Sequence, residues 1–275
     1  MSFSESLRNI QRDQNSLLCI GLDTDPSLIP PTLGNSHESV LEFNKQVIDA
    51  TKDLVCGYKL NLAFYEALGE HGWTTLRKTM EHIPSSLLTI GDAKRGDIGN
   101  TAERYATALF AELKFGAVTA HPYMGHDSIE PFLKYRDRGV FVLALTSNPG
   151  SKDFQRLKIG LKPLYEKVVL AAKKWGAEEN VGLVVGATHH KELRRIRSLV
   201  PAMPILIPGV GKQGGDLRSV VRYGCDRKGL SAVVNVGRSV IYVSREPGFA
   251  PAVRKEAMMI RDEIRMYQAE FFGAS

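Results

Sequence analysis

Cysteine is scarce and scattered. Its three copies, Cys19, Cys56 and Cys225, form no CxxC pair and have no histidine at ligand spacing. That pattern excludes a disulfide framework and a structural zinc site, and fits a reducing compartment. Long apolar runs are also missing: nothing approaches the roughly 18 apolar residues of a membrane helix. The polar start MSFSESLRNIQRDQNS lacks the basic head and apolar core of a signal peptide. No Pro/Ser linker and no low-complexity segment divides the 275 residues. Basic charge is in excess, at a net +6, but it is spread through KKW at 173, HHKELRRIR from 189 and RMY at 265. Without a dense tract interleaved with aromatics, solvated helix faces or a small-anion site fit better than nucleic acid. THH at 188–190 has no matching carboxylate pattern, so no metal is expected. These absences lead to the expectation of a soluble, cytoplasmic protein with no membrane and no nucleic-acid partner.

What the chain does have is eight short apolar runs, beginning LLCIGLD (17–23), VCGYKLN (55–61), LLTIGDAK (87–94) and AVTAHP (117–122). The other four are GVFVLALT (139–146), VGLVVGAT (181–188), PILIPGVG (204–211) and SAVVNVGRSV (231–240). Their near-continuous Val, Ile and Leu content is what strands buried on both faces require. Amphipathic stretches lie between them: FYEALGEHGWTTLRKTMEHI, TAERYATALFAELKFG and LYEKVVLAAKKWG, the last two ending at a glycine that can stop a helix. Alternation of this kind predicts an α/β protein, a single (β/α)8 TIM barrel over residues 1–275 with a parallel closed sheet and outer helices. An open doubly wound sheet shares the local pattern; the count of eight favours closure.

In a barrel the active site lies at the C-terminal strand ends. Strand side chains alternate with period two. Asp92 and Lys94 therefore share a face with Ile90, Lys59 shares one with Gly57 and Val55, and Asp23 with Gly21 and Cys19. If Ile90 faces inward, charges of both signs from three consecutive strands converge at the mouth, with Asp97 three residues on. A rim salt-bridge network is the plain alternative. Against it, burying ion pairs costs several kcal/mol per ion and gains little over apolar packing. Carboxylates flanking Lys94 favour its ammonium form, a proton donor and carbanion-stabilising cation rather than a Schiff-base nucleophile. Asp92 beside an anionic substrate group would be repelled by about 4 kcal/mol at 4 Å and an effective dielectric of 20. Loss of that group as carbon dioxide would relieve the repulsion.

LIPGVGKQGGDLRSVV (205–220) reads as strand, glycine loop and helix, a cradle for an anion. GVGKQG matches the dinucleotide fingerprint in form, but no acidic residue ends the following strand, and the GK[ST] of a P-loop is missing. A phosphate site between the loops after strands seven and eight is the barrel alternative, with Arg238 of VNVGRSV available for a bidentate contact. His121 ends strand four as a base or a hydrogen-bonded rim residue. Ser147 and Asn148 of LTSNPGSKDF could contact a polar heterocycle or simply cap a turn.

GLD at 21–23, YKLNLAFYE at 58–66, DAKRGDI at 92–98, PGVGKQGGD at 208–216 and VGRSV at 236–240 together resemble the orotidine 5′-phosphate decarboxylase family, in its longer bacterial form. D-x-K-x-x-D alone occurs also in sugar-phosphate lyases and decarboxylases of the wider barrel group. Those would use Mg²⁺, and a chelator would separate the two. The resemblance implies metal-free, cofactor-free conversion of orotidine 5′-phosphate to uridine 5′-phosphate and CO2 in pyrimidine biosynthesis. It implies that Lys94 protonates C6, that Asp92 presses on the departing carboxylate, and that Lys59 and Asp97 complete the array and contact ribose hydroxyls. Asp23 would bind a ribose hydroxyl, Ser147 would read the pyrimidine edge, and Gln213, Gly237 and Arg238 would hold the phosphate. It further implies a homodimer in which Asp97, with Thr101 beside it, reaches the neighbouring site. The chain departs from the family mainly in NPGSKDFQRLKIGLKP after strand five and in GCDRKG.

Overall fold

A computed structural model describes residues 1–176, 179–210 and 215–273. All eight apolar runs are strands: β1 (Leu18–Gly21), β2 (Gly57–Asn61), β3 (Leu88–Arg95), β4 (Ala117–Ala120), β5 (Gly139–Leu145), β6 (Val181–Val185), β7 (Ile205–Pro208) and β8 (Ala232–Val236). Each pairs in parallel with its neighbours in chain order, and β8 returns to β1, closing the barrel. The predicted closed sheet is what forms; the open sheet is not.

Inside the barrel, Cys19, Leu88, Ile90, Ala117, Phe141, Val184, Leu206 and Val233 pack into one apolar cluster. Helix α1 (Phe3–Asp13) plugs its N-terminal end, with Phe3 and Leu7 joining that cluster and the Phe3 ring meeting Phe141 edge-on at 5.9 Å between centroids. The charged side chains Asp23, Lys59, Asp92 and Lys94 lie at the opposite end. A second, larger cluster lies between the sheet and the outer helices, which include His37–Thr51 and Ala250–Phe272.

Three local readings are corrected. FYEALGEHGWTTLRKTMEHI is two helices, Leu62–Glu66 and Glu70–His82, because Gly69 between them adopts φ +64°, a conformation only glycine takes without strain. TAERYATALFAELKFG starts as Gly99–Ala106 and loosens into a π-helical turn over Thr107–Glu112. β3 does not keep strict alternation to its end: its register against β4 shifts between Gly91 and Arg95, and Lys94 sits at φ +48°. The insertion after β5 forms a short turn, Pro149–Lys152, and a small antiparallel hairpin of Lys158–Ile159 with Lys162–Pro163.

Candidate active site

The C-terminal mouth encloses a cavity of about 290 Å³ whose lining includes Asp23, Lys59, Asp92, Lys94, Thr119, Ser147, Gly237 and Arg238. Its floor is the top of the apolar cluster, with Leu143, Val184 and Leu206 facing it. One face of the site is therefore a charged row and the base beneath it is apolar.

The row is continuous. Lys59 Nζ donates to Asp23 Oδ1 and to Asp92 Oδ2, each at 3.1 Å, and Lys94 Nζ reaches Asp92 Oδ1 at 2.5 Å. Lateral pairing explains how three strands deliver it. Gly21 is level with Lys59, Lys59 with Ile90, and Asn61 with Asp92, so each strand ends a step further along the tilted rim. The bulge in β3 then turns Lys94 back over Asp92. Its left-handed backbone costs a non-glycine residue about 1–2 kcal/mol, and Thr119 helps hold it. The Thr119 hydroxyl accepts from Lys94 N–H at 3.0 Å and donates to Asp92 Oδ1 at 2.8 Å.

Exposure grades along the row. The Lys59 side chain is 4% exposed, Asp92 11%, Asp23 23% and Lys94 50%. For Lys59, burial opposes the charge, but attraction to Asp23 and Asp92 and the hydrogen bonds to both outweigh it and raise its pKa. For Asp92, burial pushes the pKa up; the Lys59 and Lys94 ammonium groups, with hydrogen bonds from Lys94 and Thr119, overcome that and hold it at about 2. Lys59 and Asp92 are thus both charged at neutral pH. The outer ammonium, Lys94, is the one a substrate can meet.

Asp23 is held from behind by groups the sequence did not flag. Tyr242 donates its hydroxyl proton to Asp23 O at 3.2 Å and accepts from Asp25 N–H at 2.6 Å. Thr24 donates to buried Asn44 at 2.6 Å, Asn44 donates to Tyr65 at 3.1 Å, and Tyr65 donates to Leu22 O at 3.2 Å. On the far side, Gly237 opens the short helix Arg238–Ile241, and a Cβ on Gly21 would sit 3.3 Å from Gly237 Cα. The two glycines let β1 and β8 close tightly around the site, next to Arg238.

Of the expected residues, Asp23, Lys59, Asp92, Lys94, Ser147, Gly237 and Arg238 meet in this one cavity. Asp97 and Thr101 are not among the described residues that line it. Asp97 is half-buried and accepts from Ile98 N–H at 2.8 Å, and Thr101 is exposed. Within one chain Asp97 does not complete the array. Gln213 lies outside the described residues. His121 is apart from the cavity lining, its ring against Gly96, so its position is that of a packed rim residue. Thr119 and Asn235 line the cavity and were missed. Thr119 was legible in principle, since it shares the inward face of β4 with Ala117. Among the described residues, no three His, Cys, Asp or Glu side chains gather as a metal would require, and both carboxylates of the row are engaged by Lys59. Among the described residues no helix is long and apolar enough to cross a membrane.

Residues 16–250 match the family model described as orotidine 5′-phosphate decarboxylase / HUMPS family. An orotidine 5′-phosphate decarboxylase of Dehalococcoides mccartyi is 48% identical over 275 residues, covering 98% of this chain and all of that one. One from Herpetosiphon aurantiacus is 47% identical over 257 residues, covering 93% of this chain and 95% of the other. Among solved structures, an OMP decarboxylase of Leishmania donovani superposes with a TM-score of 0.85 at 37% identity, over 98% of this chain and 99% of that one.

Proposed function

The chain belongs to the orotidine 5′-phosphate decarboxylase / HUMPS family, and from that premise we propose that it acts as a single-domain enzyme converting orotidine 5′-phosphate to uridine 5′-phosphate and carbon dioxide in pyrimidine biosynthesis. The observation that carries the reading is the alternating row Asp23–Lys59–Asp92–Lys94 along the cavity at the barrel mouth.

In this reading the substrate carboxylate lies against Asp92, whose depressed pKa keeps it charged and repulsive. The bond from C6 to the carboxylate breaks, CO2 leaves, and the electron pair stays on C6. Lys94 Nζ, the exposed end of the row, stabilises that pair and delivers a proton to it. Lys59 is too buried to be the donor; it keeps Asp92 ionised and in place and, with Asp23, offers polar contacts to ribose hydroxyls. Ser147 reads the pyrimidine edge. Arg238 and the Gly237 backbone grip the phosphate, assisted by Gln213. Repulsion of about 4 kcal/mol is small beside the 8–23 kcal/mol by which enzymes lower barriers. The cation in a dry site must supply the larger share, and phosphate binding offsets the cost of bringing like charges together. Each step uses the chain's own side chains, with no metal and no cofactor.

An ultraviolet assay of orotidine 5′-phosphate consumption tests this directly. Turnover without added metal and unchanged by EDTA is expected. Activity lost to EDTA and restored by Mg²⁺ would instead favour a sugar-phosphate-type chemistry.

The same proposal includes a homodimer with shared sites, supported by Asp97 and Thr101 lying at the rim, outside their own chain's cavity lining. Lys94→Ala and Asp97→Ala should each be inactive alone. Mixed and allowed to exchange subunits, they should recover up to about a quarter of wild-type activity, since half of the dimers are hybrid and each hybrid has one intact site. No recovery despite demonstrated exchange would mean that Asp97 serves its own chain or none.

A further inference from the structure

The insertion after β5 contributes no charged group to the row, yet two of its side chains reach back to the strand end. Gln155 Oε1 accepts from Thr146 N–H, and Gln155 Nε2 donates to the Thr146 hydroxyl, each at 2.8 Å. The guanidinium of Arg156 forks: Nη1 donates to Glu192 at 2.6 Å and Nη2 donates to His189 Nδ1 at 3.0 Å. His189 Nε2 in turn donates to the Thr146 carbonyl at 2.9 Å. Roles in this chain are fixed by chemistry. A guanidinium only donates and a carbonyl only accepts, so Nδ1 is the accepting and Nε2 the donating nitrogen of the ring. Every polar group of Thr146 is engaged, and its hydroxyl also donates to Asn148 Oδ1 at 2.6 Å. Thr146, Ser147 and Asn148 all line the cavity.

We propose that Gln155, Arg156 and His189 are positioning residues that hold the Thr146–Asn148 turn where it reads the pyrimidine edge. The inserted segment is then a brace for base recognition, anchored through Glu192 to the helix after β6. A loop of this length is ordinarily the most mobile part of a barrel rim. Ser147 is exposed and cannot fix itself; the braced residue directly before it does so. The inference rests on the assignment of Ser147 to the base.

The test compares ligands with and without the base. UMP carries it and lacks the carboxylate; ribose 5-phosphate has only the sugar phosphate. In His189→Ala and in the milder Arg156→Lys, UMP binding and KM for orotidine 5′-phosphate should weaken about tenfold, within the range a misplacement of about 1 Å produces. Ribose 5-phosphate affinity should stay within about twofold of wild type in both, because the phosphate and ribose contacts lie on other strands. In a Ser147→Ala background the His189 substitution should add less than about twofold, since the brace has nothing left to position. A parallel loss of ribose 5-phosphate affinity, or effects that multiply fully with Ser147→Ala, would overturn the proposal. A wild-type protein that binds UMP but does not consume orotidine 5′-phosphate would sink the decarboxylase reading and leave the brace standing.

Discussion

Lys94→Ala is expected to lower turnover of orotidine 5′-phosphate by at least about 10⁴-fold while the barrel stays folded, because proton donation and charge stabilisation are removed together. Stability should hardly change. Lys94 is half exposed and its partner Asp92 retains Lys59 and Thr119. The backbone supplies a second, independent readout. With φ at +48°, Lys94 stores strain that alanine keeps and glycine releases. Lys94→Gly should therefore be about 1 kcal/mol more stable than Lys94→Ala in urea denaturation, and just as inactive. Binding divides the same way. UMP, without a carboxylate, should lose less affinity in either variant than a ligand that retains one, since only the latter lies against Asp92 with the Lys94 amine gone. Turnover within tenfold of wild type in Lys94→Ala would remove the ammonium from the chemistry. Equal stability of the two variants would mean that the left-handed turn carries no strain.

That turn also marks where reading the sequence stops. The eight strands were legible because each is buried on both faces and so is written in Val, Ile and Leu. The charged row was legible because a buried-strand signal that ends in Asp or Lys contradicts itself unless those groups have work to do. Period-two counting put Asp92 and Lys94 on one face, and they do meet, but through a bulge that the counting did not contain. Strand irregularity depends on what the neighbouring strand offers, here the Thr119 hydroxyl on β4, and leaves no local signature. Asn44, Tyr65 and Tyr242 were invisible for a related reason. Each acts through hydrogen bonds to residues 20 or more positions away, and Asn or Tyr in a helix or turn is ordinary. The insertion read as a departure from the family. The task proposed for it rests on contacts that local pattern does not carry, those of Gln155 with Thr146 and of Arg156 with His189 across 33 residues.

Lys59→Met is expected to cost about 3–5 kcal/mol of stability at neutral pH, the usual penalty for removing one member of a buried ion pair, and to abolish activity with it. Methionine keeps the length and packing of the lysine stem, so the loss reports the charge. Without Lys59, Asp23 and Asp92 face each other at the barrel mouth with only the half-exposed Lys94 between Asp92 and solvent. The pH dependence separates this from a packing defect. In the wild type, Asp92 is shifted from 3.8 down to about 2. Its contribution, about 2 kcal/mol at 1.36 kcal/mol per unit, is fully present above pH 4 and is lost as the pH falls through 2. Lys59 is shifted upward, so its contribution is complete below the ordinary lysine range and disappears only as the pH rises through its raised value. In Lys59→Met the carboxylates lose their buried cation and repel one another, so Asp92 takes up a proton at higher pH than in the wild type. The stability gap between variant and wild type should accordingly be widest near pH 7 and narrow steadily as the pH drops below 4. Urea denaturation at pH 7, 5 and 3.5 measures it. A gap independent of pH would mean that the row is held by packing and not by alternating charge. The Asp92 carboxylate would then have no reason to remain ionised beside an anionic substrate.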